Sequence, residues 1–284
     1  MTDGPAAIAS AFGRARDEGR VALVPYVVSG YPSLGVSRRA ALAAIDAGAD
    51  LLEVGLPYSD PLADGATLQR ASALALGAGA TLDRSLELVS EIHAARPATP
   101  LVPMAYLNQL LGSGHTAALL ERLAGAGASG LILADLTPDE GAELEAEAER
   151  AGLGLVYLVT PTTPPQRRAW IAARSRGFLY AVSLVGLTGA RAALPAQVGR
   201  FLDDVRRTSP LPVGVGFGIS RPAHVRRLAG HADGVIVASA LVDALGPDGT
   251  DVEAMAGLVA ALRAATVRPA APERPAAPAA RSGP

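Results

Sequence analysis

The feature that most limits the possible folds is an alternation. Short β-rich apolar runs stand at 21–28 (VALVPYVV), 50–54 (DLLEV), 100–106 (PLVPMAY), 130–135 (GLILAD), 153–159 (LGLVYLV), 177–183 (GFLYAVS), 212–216 (PVGVG) and 233–238 (DGVIVA), eight in all. Longer Ala/Leu/Arg/Glu segments of helical character follow them, at about 34–48, 81–95, 115–126, 138–151, 164–174, 195–208, 220–230 and 252–265. Near-continuous apolar runs suit parallel strands buried on both faces. Eight strand–helix repeats predict a single-domain α/β fold, the (β/α)8 TIM barrel. A doubly wound sheet competes, but it normally has fewer units and a glycine fingerprint after its first strand; here that turn is SGYPSLG. An extra N-terminal helix at about 5–18 is placed to close the barrel floor.

Local signals fit the scheme. Thr137 in TPDE is expected to cap a helix, with proline and acids in its first turn, and Ser220 in SRPAHV to open another. Glycines in DAGAD and AGAGASG are expected to end helices in the left-handed conformation. The barrel is expected over 1–266. The segment 267–284, with five prolines and little to bury, reads as a disordered tail.

Composition removes several function classes. Half of the 284 residues are hydrophobic, enough for a sizeable core, and the net charge is 25 − 27 = −2. No basic excess suggests nucleic acid or an anionic membrane. The start lacks the order of a signal peptide and no apolar run is long enough for a span, so a cytoplasmic protein is expected. With no cysteine there is neither a disulfide nor a thiolate ligand or nucleophile. All 25 basic residues are arginine. Without lysine the chain forms no Schiff base with a substrate and anchors no pyridoxal cofactor. His93, His115, His224 and His231 are scattered without ligand spacing and are expected at the surface, so neither a metal nor any other cofactor is expected.

Three acids stand out. Glu53 interrupts the apolar run LLEVG, and Asp60 and Asp64 lie in the Gly/Pro-punctuated loop after it. Each alone reads as a rim ion pair or a loop cap. In a barrel of this kind, however, strand ends and the loops after them form the active site. Later loops add SLVGLTGA (183–190), GFGIS (216–220) and VASALV (237–242). Gly186, Gly189, Gly216 and Gly218 let backbone N–H groups approach an anion, and Ser220 and Ser239 open helices whose N-termini attract negative charge. Together these features suggest a phosphate ester ligand and acid–base chemistry without a covalent intermediate.

The residues also carry a resemblance. EVGLPYSDPLADGATLQ, followed in order by MAYLN, LILADLTPDE, GFLYAVSLVGLTGARA, GFGIS and ADGVIVASALV, resembles the signature of the tryptophan synthase α chain family over about residues 5–265. The resemblance implies a (β/α)8 barrel that cleaves indole-3-glycerol phosphate to indole and glyceraldehyde 3-phosphate. It also implies a tryptophan synthase β subunit as partner, in an α2β2 tetramer. By position it makes Glu53, Asp64 and Tyr180 catalytic and places Tyr26 and Met104 on the indole pocket. Asp60 and Thr188 match a pair that meets on closure, and Gly189, Gly218 and Ser239 match phosphate-binding positions. Four residues depart from the family pattern: Ala66 for proline, Gln109 for proline in the loop that faces the β subunit, Leu184 for a polar residue and Ala238 for glycine. The alternatives are a stand-alone lyase that releases indole and a non-catalytic barrel that binds a partner. Retention of Glu53, Asp64 and the phosphate loops argues against the last.

Overall fold

A computed structural model describes residues 3–112, 114–182, 197–216 and 218–268. The strands are β1 (Ala22–Val28), β2 (Leu52–Gly55), β3 (Leu101–Ala105), β4 (Gly130–Leu133), β5 (Gly154–Val156), β6 (Leu158–Val159), β7 (Leu179–Val182), β8 (Val213–Gly216) and β9 (Gly234–Val237). All strand pairs are parallel, in the order β5-β4-β3-β2-β1-β9-β8-β7-β6. Nine segments make eight staves, because the run expected at 153–159 is interrupted at Tyr157. Its N–H turns aside to the Ser175 hydroxyl at 3.1 Å, while its carbonyl still accepts from Tyr180 N at 3.0 Å. The seam between β5 and β6 is therefore covalent, and the cylinder closes as a (β/α)8 barrel.

The eight expected helices follow their strands at Leu34–Asp46, Leu82–Ala95, Thr116–Gly125, Ala142–Ala151, Pro165–Arg174, Gln197–Thr208, Pro222–Leu228 and Val252–Ala264. The first helix, Gly4–Asp17, starts on an Asp3 cap and buries Ile8 and Phe12. Phe12 meets Phe178 at 5.5 Å between ring centres, and Phe178 meets Tyr180 at 6.2 Å, both tilted, an aromatic column rising from the floor helix. Gly234 gives Phe12 its room: a Cβ there would lie 2.6 Å from the ring. Fully burying a phenylalanine contributes about 1.5–3 kcal/mol. Gly48 and Gly127, at φ 109° and 93°, end helices in the left-handed region as expected.

Several local expectations are corrected. Thr137 caps nothing. Residues 137–141 close a turn, with Glu140 N bonded to the Thr137 carbonyl and Gly141 N to the Pro138 carbonyl, and the helix starts at Ala142 after Gly141. Ser220 does not cap either: Arg221 holds the N-cap position, and the Ser220 N–H donates to His224 Nδ1 at 3.3 Å. That bond draws His224 inward. It is 5% exposed, not a surface residue, because it shares a helix face with Val225 and Leu228. His93 is half-buried beneath Gly127. His115 is at the surface, and His231 is half-buried and paired with Asp203 at 2.9 Å.

Two helices were not expected. Ala66–Gly77 follows the loop that carries Asp64, and Leu107–Leu111 follows β3. The first had a readable signal, since its buried Leu68, Ala71, Ser72 and Ala75 repeat at helical spacing. Among the described residues no helix is long and apolar enough to cross a membrane, and no group of three or more His, Cys, Asp or Glu could hold a metal ion. Val267 bridges to Arg20, and Arg268 N donates to the Gly19 carbonyl, so the described chain packs as far as Arg268.

Candidate active site

Glu53 sits on β2, with Tyr26 of β1 and Val102 of β3 as its register partners. It is 3% exposed, and its Oε2 has no hydrogen-bond partner. Burial, and then the neighbouring charge of Asp64, push its carboxyl up to about 8. Such a group holds its proton at neutral pH and is placed to hand it on.

The loop after β2 returns Asp64 to the same chamber. Leu62 N bonds to the Asp60 carbonyl and Asp64 N to the Pro61 carbonyl, closing tight turns. Gln69, from the helix behind, donates to the Asp64 carbonyl at 2.9 Å. The Asp64 side chain is buried, which pushes its carboxyl up to about 6, while a hydrogen bond from Tyr106 pulls it back down. At neutral pH the pair is therefore split, with Glu53 mostly protonated and Asp64 mostly ionised. This is how one site holds an acid and a carboxylate side by side.

Three buried phenols surround the carboxylates. Tyr26 and Tyr180 both feel the charge of Glu53 and Asp64, and burial holds both hydroxyls well above their ordinary range. The Tyr26 hydroxyl lies over Gly55, where a Cβ would stand 1.8 Å from it; the Tyr180 hydroxyl lies over Gly216, at 2.3 Å. The third phenol, Tyr106, was not singled out by the sequence reasoning. Its oxygen accepts from Ala63 N at 3.1 Å and its hydroxyl reaches Asp64. Met104, 8% exposed, pairs with Gly55 across β2 and β3, on the apolar side of the chamber.

Glu53, Asp64, Tyr26 and Tyr180 are thus brought together, with Met104 beside them. Asp60 is not among them: it lies exposed on the outer part of its loop. Gly218 has φ 76°, the left-handed conformation, just beyond β8. Ser239 is the first residue of the short helix Ser239–Ala244 after β9, with Ala238 at its N-cap. Gly186, Thr188, Gly189 and the departure Leu184 lie outside the described residues.

Two carboxylates split between acid and base, set among phenols at the C-terminal ends of barrel strands, define an acid–base barrel enzyme. Comparison with known proteins narrows the class. The sequence model of the family described as "Tryptophan synthase alpha chain" matches residues 12–268. A tryptophan synthase alpha chain from Roseiflexus castenholzii is 48% identical over 238 residues, covering 84% of this chain and 91% of its own length. A solved structure of tryptophan synthase from Mycobacterium tuberculosis superposes with TM-score 0.84 at 39% identity, over 92% of this chain and 98% of that one. The alpha subunit from Legionella pneumophila str. Paris gives TM-score 0.83 at 31% identity, covering 92% and 98%. The chain belongs to the tryptophan synthase alpha chain family.

Proposed function

We propose that the chain cleaves indole-3-glycerol phosphate to indole and glyceraldehyde 3-phosphate, as the α subunit of tryptophan synthase. The observation that carries the mechanism is the split pair: Glu53 at about 8 and Asp64 at about 6 in one chamber. Protonated Glu53 delivers a proton to indole C3. The ring N–H gains acidity as C3 is protonated, and the Asp64 carboxylate stabilises that charge. Glu53, now ionised, removes the proton of the glycerol hydroxyl next to the ring. The carbon–carbon bond breaks, its electrons return to the ring, and an aldehyde is left on the glycerol fragment. The protonated ring is the electron sink, so the chemistry needs no lysine imine.

Tyr26, Met104 and Tyr180 line the indole side. The phosphate is assigned to the loops after β8 and β9, where Gly218 is exposed and Ser239 opens a helix, and Gly189 is assigned to the same role by the family resemblance. Asp60 and Thr188 are assigned to closure over bound substrate. The partner is a β subunit that receives the indole, in an α2β2 tetramer. Leu62, on the loop after β2, and Leu111, at the end of the short helix after β3, are 78% and 56% exposed and give that face an apolar rim.

The direct test is turnover of indole-3-glycerol phosphate by the purified chain, alone and with a β subunit. Cleavage that rises on adding the β subunit is expected; no cleavage in either case would end the lyase assignment. Ser239→Asp is expected to raise KM sharply through charge repulsion. An unchanged KM would place the phosphate elsewhere.

A further inference from the structure

Gln109, one of the departures from the family pattern, is a brace. Its amide oxygen accepts from Tyr106 N at 3.0 Å, and its Nε2 donates to the Pro57 carbonyl at 3.0 Å. The two bonds use opposite ends of one amide, so reversing the group would set donor against donor and acceptor against acceptor. A proline side chain offers neither a donor nor an acceptor and could make neither bond. Pro57 lies just past the end of β2, where the loop that carries Asp64 leaves the barrel. The base of that loop is therefore pinned by the amide of Gln109.

The tip of the same loop is pinned by a residue on the same short helix start. The Tyr106 oxygen accepts at 3.1 Å from the N–H of Ala63, the residue before Asp64, and the phenol acts electrostatically on the Asp64 carboxyl. Tyr106 also stacks on Tyr58 at 5.1 Å, and Asn108 Nδ2 donates to the Tyr58 hydroxyl at 3.4 Å. From the far side, Leu107 N donates to Asp135 at 2.7 Å, tying the cluster to the loop after β4. Gln109 acts on Asp64 through Tyr106: it fixes the backbone from which that phenol extends and the loop base toward which it reaches.

We propose that Gln109 is a positioning residue that clamps the Asp64 loop onto the short helix after β3, so that the isolated chain holds its second carboxylate in place without a partner subunit. The proposal rests on the lyase reading for its kinetic arm. It also has an arm that needs no catalysis.

Two variants test it. Gln109→Met keeps length and removes both bonds. Gln109→Glu keeps an acceptor for Tyr106 N and sets its other oxygen against the Pro57 carbonyl. Hydrogen exchange at the Ala63 and Asp64 amides, read without substrate, is expected to speed up in both variants by about tenfold, the scale of one lost hydrogen bond. With indole-3-glycerol phosphate, kcat of the isolated chain is expected to fall by roughly tenfold with KM little changed. The acidic limb of kcat/KM is expected to move to higher pH, as Tyr106 loosens from Asp64. Unchanged exchange in both variants would overturn the brace. So would wild-type behaviour of Gln109→Glu, which would leave only a helix start and no clamp to Pro57. A wild-type chain that fails to cleave the substrate would overturn the lyase reading instead, and the exchange comparison would then decide the brace.

Discussion

The two ends of this barrel bury charge in opposite ways. At the floor the partly buried acids Asp50 and Asp233 each have an arginine. Arg20, 6% exposed in its side chain, meets both oxygens of Asp50 at 2.6 and 2.7 Å, and Asp50 also accepts from Leu23 N. Asp233 takes Val213 N and two arginines, Arg206 and Arg268, each at 3.1 Å. At the opposite end Glu53 and Asp64 are more deeply buried, at 3% and 6% exposed, and among the described residues no cation lies within ion-pair distance of either. The matched charges at the floor pin strand ends together through these bonds. An unmatched charge has its affinity for protons raised. The floor uses its acids to tie strand ends together, and the two acids at the top are held without a counter-charge.

The largest effect is expected where the unmatched charge is removed. Glu53→Gln keeps size and abolishes proton transfer, lowering kcat by about 10²–10⁴-fold while substrate still binds. Steady-state rates decide it, and a variant with near-full turnover would erase the functional difference between the ends. At the floor, Arg20→Met should do the reverse, leaving activity per folded molecule intact. It strands a partly buried carboxylate at Asp50, a loss of about 1–3 kcal/mol. A lower melting midpoint, recovered in part by adding Asp50→Asn, is the expected result. A catalytic defect without a stability defect would break the comparison.

A pH series sharpens it. The carboxyl of Glu53 is raised from 4.5 to about 8, so the folded chain holds this proton more tightly than the unfolded chain does. Its contribution to stability is complete below 4.5 and is lost as the pH climbs through about 8. Glu53→Gln should therefore be the more stable protein above pH 8, by on the order of a few kcal/mol, and the gain should vanish in acid. Thermal melts across that range would show the crossing; parallel curves would mean that Glu53 is not buried as an acid. The smallest effect is expected from Tyr106→Phe. Losing its hydrogen bond removes the one influence that lowers Asp64, so the acidic limb of kcat/KM should move upward, with a modest loss of rate at neutral pH. A limb that stays in place would detach Tyr106 from Asp64.

How much of this was legible depended on distance along the chain. Glu53 was readable because a carboxylate inside LLEVG violates its surroundings, and Asp64 because an acid follows so soon in a glycine- and proline-marked loop. Tyr106 violates nothing: a tyrosine that ends PLVPMAY looks like core. Its role appears only when a loop 43 residues away folds across to meet it. The interruption at Tyr157 is of the same kind, since it depends on the hydroxyl of Ser175, 18 residues on. His224 was misread for another reason. Its spacing with Val225 and Leu228 marks a buried helix face, but a histidine invites a surface assignment. The strand count came through because eight apolar runs are local, repeated signals.

The glycine beneath Tyr26 has an evolutionary consequence. The Tyr26 ring occupies the space where Gly55 would carry a side chain, so the two positions share one volume on neighbouring strands. No single substitution at Gly55 can enlarge it without evicting the phenol, and trimming Tyr26 alone opens a void beside Glu53. The chamber can drift toward a wider or a slimmer ring system only by paired steps, each of which passes through a damaged intermediate. Tyr26 and Gly55 are therefore expected to change together, by two substitutions that arrive at once.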